Sequence, residues 1–271
     1  MTDELPLTGK MTAAGRVLAV LGAFSSGTGS LTLSEISRLA GLTLPTTHRL
    51  VREVQEWGGL EDDHGRYRLS AKFVALAAHS TRELPLRERA LPFLAALHRR
   101  AGHTVHLAVR NGDDVMNIEV LRLHPNFGGE NRIGGTLPLH VPAAGLVLLA
   151  HEDPEFVREY ARRPLRRYTP HTVGDESTLH RTLESVRADR YALMSETVIP
   201  GWATVAAPVT DDEGTVIAAV NVLCWLERDD PAAVVGMVTA TAQRVSQAMR
   251  DRRAKPSPRT LEFQRRHLSA R

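Results

Sequence analysis

Residues 32–42 read Thr32-Leu33-Ser34-Glu35-Ile36-Ser37-Arg38-Leu39-Ala40-Gly41-Leu42, and after Thr43 and Leu44 the chain continues Pro45-Thr46-Thr47-His48-Arg49-Leu50-Val51-Arg52. The first stretch predicts a short helix capped by Thr32 or Ser34 and ended by Gly41. The second predicts a helix from about Pro45 to Trp57, with Thr43 as N-cap and Pro45 in the first turn, where a missing N–H costs nothing. Gly58-Gly59 stops it. Two helices joined by a tight glycine turn have the geometry that projects the second helix into a DNA major groove. Ile36, Leu39, Ala40, Leu42, Leu50 and Val54 would hold the pair together, while Thr46, His48, Arg49 and Arg52 would face outward. Thr47, Leu50, Val51, Val54 and Trp57 form the apolar stripe of the second helix.

Outward from this pair, Leu60–Asp62 and Tyr67–Leu69 read as a small hairpin turning through residues 62–66, a wing that places Arg66 near a backbone or minor groove. The alternative is a small helical domain with a solvated Arg/Glu face. A helix is expected from Thr12 to Phe24, then a loop at residues 25–30, and a further helix from Ala71 to Ser80. Pro85 interrupts that last pattern, so a boundary falls near residues 80–86.

The second part opens with a helix from Leu86 to about Ala101. The alternating run Thr104–Val109, the Asn111-Gly112 turn and the strand Val115–Leu121 form a hairpin. A strand at Arg132–Leu139 leads to a helix at about Pro142–His151, followed by helices at Pro154–Arg162 and Glu176–Asp189. Strands at Tyr191–Thr197, Ala203–Thr210 and Val216–Trp225 precede a last helix from about Asp230 to Arg252. An antiparallel sheet with helices packed on it, an α+β fold, accounts for this order.

Composition narrows the function. With 271 residues, 42% hydrophobic and 24% charged, the chain is long enough for two domains and a buried core. Its longest apolar runs, Val141–Ala150 and Val216–Leu226, are too short to span a membrane, which takes about 20 residues. No secretory signal is visible in residues 1–10, so a cytoplasmic protein without a membrane partner is expected. The single cysteine, Cys224, allows no intrachain disulfide and reads as a buried, inert thiol. Net charge is +3, but residues 1–80 are neutral and residues 252–271 alone carry +6, so bulk charge does not argue for nucleic acid.

Enzyme motifs are missing. There is no Gly-x-Ser-x-Gly and no phosphate loop, Gly27-Thr28-Gly29 lacks a third glycine, and His151-Glu152 lacks a second histidine at zincin spacing. His103 and His106 stand three residues apart in or beside a strand, on opposite faces, and read as structural histidines that do not share a metal. No metal or cofactor is expected. The junction Leu137–Gly145 offers small residues at a helix N-terminus, suited either to a carboxylate or to close helix–sheet packing. Asn221 is polar within an apolar strand, so burial would demand a partner, from the protein or from a ligand.

Over about residues 12–250 the chain resembles the IclR family of bacterial transcription regulators. The likeness rests on Leu31–Leu42, Thr46–Leu50 and Gly65–Leu69, then on Thr104–Val109, Leu137–His140 and Ala206–Val209. It implies a winged helix-turn-helix at residues 1–70, a linker helix at 71–85 and a GAF-like effector-binding domain at 86–253; the basic tail at 254–271 extends past the likeness and by its composition is expected to be disordered. It also implies homodimers or dimers of dimers on palindromic double-stranded operators, and a small organic effector. The candidate DNA contacts are Thr32, Ser34, Thr43, Thr46, Thr47, His48, Arg49, Arg52 and Arg66. The candidate effector contacts are Leu137, Ala143, Ala144, Met194, Thr204, Asn221 and Leu223. Leu44 and Pro45 replace a Lys-Ser pair common in the family, which removes one phosphate-contacting cation. Met194, Thr204, Asn221 and Leu223 stand where members that bind small oxo-acids carry an Asp, a Cys and two Ser. A larger or more apolar effector, aromatic or lactone-like, is therefore expected. The competing function is a small-molecule-binding protein or enzyme with a vestigial helix-turn-helix.

Overall fold

The computed structural model describes residues 11–26, 29–78, 83–123 and 131–250. The basic tail at 254–271 and the end of the expected linker helix at 79–82 lie outside the described residues. The chain divides into two compact units between Leu84 and Pro85.

The first unit runs α1 (Ala13–Gly22), a 3-10 turn (Ala23–Ser26), β1 (Leu31–Thr32), α2 (Leu33–Ala40), α3 (Leu44–Glu56), β2 (Leu60–Asp63), β3 (Arg66–Leu69) and α4 (Ala71–Ala78). Val20, Ile36, Leu50, Val51 and Val54 form its core. Both ends of α2 are closed by its own sequence. Thr32 Oγ1 accepts the Glu35 amide while Glu35 Oε2 accepts the Thr32 amide, a reciprocal capping box. At the other end Gly41 takes φ +63°, a left-handed conformation costly for any residue with a Cβ, and the Leu42 amide reaches back to the Ser37 carbonyl. Thr43 is the N-cap residue of α3, but its hydroxyl donates to Thr46 Oγ1 at 2.9 Å instead of capping a backbone amide. The wing turns through His64-Gly65, both at positive φ, as a two-residue hairpin requires, so its strands are longer than expected. Unforeseen in the sequence, β1 adds a third strand beside β3.

The second unit runs α5 (Glu83–Ala101), β4 (Thr104–Asn111), β5 (Asp114–Leu121), β6 (Thr136–Pro138), α6 (Ala143–Ala150), α7 (Pro154–Ala161), α8 (Glu176–Asp189), β7 (Ala192–Ser195), β8 (Trp202–Thr210), β9 (Val216–Trp225) and α9 (Pro231–Arg250). The strand expected at Arg132–Leu139 shrinks to β6, because the chain turns at Arg132–Gly135 with Gly134 at φ +76°. Six strands pair antiparallel in the order β6-β5-β4-β9-β8-β7. One face packs on α5 and α9 through Val105, Leu107, Val220, Val222 and Val238. The other packs on α6, α7 and α8 through Ala108, Ala206, Ala219, Leu146 and Leu179. Strand alternation puts His106, Asn221 and Leu223 on that second face, in step with Ala108 and Ala219. Every residue of α6 is buried. A Cβ on Gly145 would fall 2.3 Å from the Leu139 carbonyl oxygen, so glycine there lets α6 sit against the chain entering it. Among the described residues no helix is long and apolar enough to cross a membrane.

Candidate functional site

On α3, His48, Arg49 and Arg52 are exposed, and Thr46 is half-buried on the same side. Arg49 Nη1 lies 3.8 Å from Glu53 Oε1, an exposed (i, i+4) pair of the kind worth under about 1 kcal/mol and easily exchanged. Ser34 and Thr43 are also exposed. Thr47 corrects the expected contact set. It is fully buried, with its hydroxyl donating to the Thr43 carbonyl at 3.0 Å, because position 47 falls on the stripe facing α2. Thr32 is engaged in the capping box, and its hydroxyl donates to Glu35 Oε2 at 2.9 Å. These bonds hold the Glu35 carboxyl below its ordinary value, with Arg66 and Arg38 adding to the effect. Arg66 spans from the wing to Ser30, donating to Ser30 Oγ and to the Ser30 carbonyl, each at 2.9 Å, while half of its side chain stays in solvent.

In the second unit the sheet face beside α6 opens into a cavity of about 260 Å³. Leu137, Ala144, Met194, Thr204, Asn221 and Leu223 line it. They converge through register: Met194, Thr204 and Leu223 lie side by side across β7, β8 and β9, and Asn221 pairs with His106 on β4. Ala143 does not line the cavity. It is fully buried in the α6 packing, and its amide donates to Thr204 Oγ1 at 3.3 Å. Among the described residues, no Asp, Glu, Lys or Arg lines the cavity.

His106 and Asn131 are lining residues that the sequence reading missed. Asn221 Nδ2 lies 3.1 Å from His106 Nδ1, and His106 Nε2 lies 2.5 Å from Asn131 Oδ1. Burial holds the His106 imidazole below its ordinary pKa, against the Asn131 hydrogen bond and with help from the Arg122 charge. At neutral pH His106 therefore has one donor and one acceptor nitrogen. Asn131 Nδ2 and Asn221 Oδ1 are buried and have no partner among the described residues. Strand alternation could have flagged His106 as a neighbour of Asn221 once β4 and β9 were paired. Asn131 comes from a turn and carries no such signal.

The other histidines play different parts. His103 Nδ1 sits 3.6 Å from Asp229 Oδ2 at the start of β4, away from His106. His140 is buried between the Tyr160 hydroxyl at 2.8 Å and the Arg166 carbonyl at 3.0 Å, where it braces the entrance to α6. Cys224 points into the opposite core, and burial pushes its thiol up to about 12.

The family model for the IclR helix-turn-helix domain matches residues 13–64, and that for the C-terminal domain of bacterial IclR transcriptional regulators matches residues 78–247. The chain belongs to the IclR family. It is an IclR-type transcriptional regulator with a helix-turn-helix domain and a C-terminal effector-binding domain. It is 32% identical to the HTH-type transcriptional regulator XynR of Escherichia coli, over 80% of this chain and 87% of that one. Identity to the glycerol operon regulatory protein of Streptomyces coelicolor is also 32%, over 79% and 84% of the two chains. Among solved structures, an IclR homologue from Microbacterium hydrocarbonoxydans complexed with 4-hydroxybenzoate superimposes with a TM-score of 0.79 at 31% identity. The match covers 86% of this chain and 97% of that one.

Proposed function

We propose that α3 enters the major groove of an operator with Thr46, His48 and Arg49 at base edges, and Arg52, Ser34 and Thr43 toward phosphates. Arg is suited to bidentate pairing with guanine. Arg66 faces the backbone from the wing, while Thr32 contributes by holding α2 in place. Two copies act on a palindrome whose half-sites lie about 34 Å or a multiple apart. The protein works in the cytoplasm as a regulator and not as an enzyme.

The 260 Å³ cavity is the effector site in this reading. A cavity of this size has room for a single-ring organic molecule. The observation that carries the assignment is the cavity itself, walled by Leu137, Met194 and Leu223 with the polar residues Asn131, Thr204 and Asn221 among its lining. An apolar wall with a few polar groups set into it is the make-up of a site for a small organic molecule. The Microbacterium homologue's 4-hydroxybenzoate is of the expected size and character. Such an effector regulates by binding the DNA-competent and incompetent forms with different strengths.

Fluorescence anisotropy on DNA upstream of the protein's own gene tests this reading. Selective binding that falls steeply with salt, needs both half-sites and shifts on adding 4-hydroxybenzoate or a related ring compound is the expected result. Equal binding to random DNA would overturn the operator reading, and a calorimetric preference for glyoxylate or pyruvate would overturn the effector class.

A further inference from the structure

Resting on the reading of α3 as the helix that enters the groove, we infer that Lys72 is a positioning residue for operator recognition. It ties the first turn of α4 to the last turn of α3 and so sets the angle at which α3 is held. A helix end leaves its last carbonyls without intrahelical partners. At the end of α3 the Gly58 amide returns to the Gln55 carbonyl and the Gly59 amide to the Val54 carbonyl, each at 2.8 Å, with Gly58 at φ +84°. Beyond that ending come the carbonyls of Trp57, Gly58 and Gly59, and all three are taken by residues at the entrance to α4. The Ser70 amide donates to the Gly59 carbonyl at 2.9 Å and Ser70 Oγ to the Gly58 carbonyl at 2.6 Å. These two bonds carry the β2–β3 pairing one step further. Lys72 Nζ donates to the Trp57 carbonyl, and this bond comes from α4 itself.

The Trp57 ring closes the clasp. Lys72 Nζ stands 4.0 Å from its centroid, and Phe73 meets it edge-on at 5.7 Å. Glycine at 59 makes room for the ring, since a Cβ there would fall 2.6 Å from it. An ammonium has three donors, so it can bond the carbonyl and face the indole together, and the C-terminal end of a helix dipole favours it further. Lys72 is exposed, so a phosphate contact is the competing role. Trp57 stands eleven residues past Thr46, about 16 Å along the helix axis from the residues assigned to base edges. The clasp is therefore at the end of α3 remote from the bases, where it acts on the helix and not on the DNA. Along the chain α4 leads on toward the second unit, so the clasp gives α4 a hold on the recognition helix.

The test is fluorescence anisotropy of the full chain on DNA upstream of its own gene and on random DNA, across a salt series, for the wild type, Lys72→Met, Lys72→Arg and Trp57→Leu. Lys72→Met should weaken binding to the upstream DNA about three- to tenfold and leave random DNA within about twofold. The slope of log affinity against log salt should stay as it is, because no phosphate contact is lost. Lys72→Arg still donates to a carbonyl and lies over a ring, so it should restore most of the loss. Trp57→Leu removes no charge and should lower the ratio of upstream to random binding in the same direction. Equal losses on both DNAs, with a slope shallower by about one, would overturn the proposal and make Lys72 a phosphate contact. Unchanged ratios in Lys72→Met and Trp57→Leu would overturn it as well. So would a Lys72→Met chain whose first unit melts below the assay temperature, since Lys72 would then be a prop of the fold. Equal binding of the wild type to upstream and random DNA would remove the operator reading itself, and the positioning role with it.

Discussion

The two units do their work with opposite kinds of residue. The helix-turn-helix keeps its working side chains in solvent, where His48, Arg49 and Arg52 are held in register only by the helix that carries them. The sheet unit puts its working side chains inside, where His106, Asn131 and Asn221 are held by one another and by strand pairing. A surface site of the first kind tolerates substitution of its contacts at little cost to stability. An interior site of the second kind couples every contact to packing.

Changes that break this contrast come first. Leu50 is buried between α2 and α3, and Leu50→Ala should cost about 2–5 kcal/mol by leaving a cavity. Operator binding should vanish in anisotropy while the effector titration survives. Retained DNA binding would mean that the first unit is held together by something other than this core. On the other side, Gly145→Ala drives a methyl into the Leu139 carbonyl, against backbone that cannot swing away. It should cost about 1–3 kcal/mol by thermal unfolding and weaken effector binding, with operator selectivity intact.

Smaller changes sharpen the contrast. Arg49→Ala should reduce operator affinity by about 1–3 kcal/mol and relax selectivity at one base position, with the melting temperature unchanged. Equal losses on operator and random DNA would assign Arg49 to phosphate alone. The smallest effect is the acid limb of stability. Because burial lowers the folded-state pKa of His106, the unfolded chain binds its proton first as pH falls. Its contribution is therefore whole above about 6.5, the unfolded value, and is lost progressively below it down to the folded value. His106→Gln should flatten denaturation midpoints measured across that window. An unchanged slope would mean that the imidazole is protonated as easily in the fold as out of it.

Legibility follows the same division. The capping box at Thr32 and Glu35, the left-handed Gly41 and the Pro45 start are local devices, each acting within one turn of chain, so the helix pair could be read almost residue by residue. Thr47 stood both on the apolar stripe of α3 and among the candidate DNA contacts, and packing buries it, as the stripe has it. Six of the seven expected effector residues line the cavity because the family likeness pointed to them, while Ala143 turned into the α6 core. His106 was read as structural, since nothing within β4 distinguishes it from a strand histidine that meets water.

By itself the sequence determined the elements whose causes are local: the caps, the glycine turns, the alternation of the strands and the family to which they belong. The tertiary structure alone decided which residues 115 and 25 positions apart, Asn221 and Asn131, would meet His106. It also decided that one amide atom of each would be buried without a partner among the described residues. The reason is physical: a cap is satisfied by its own turn, but a hydrogen-bond relay across a sheet exists only once strand register has brought its members to the same face.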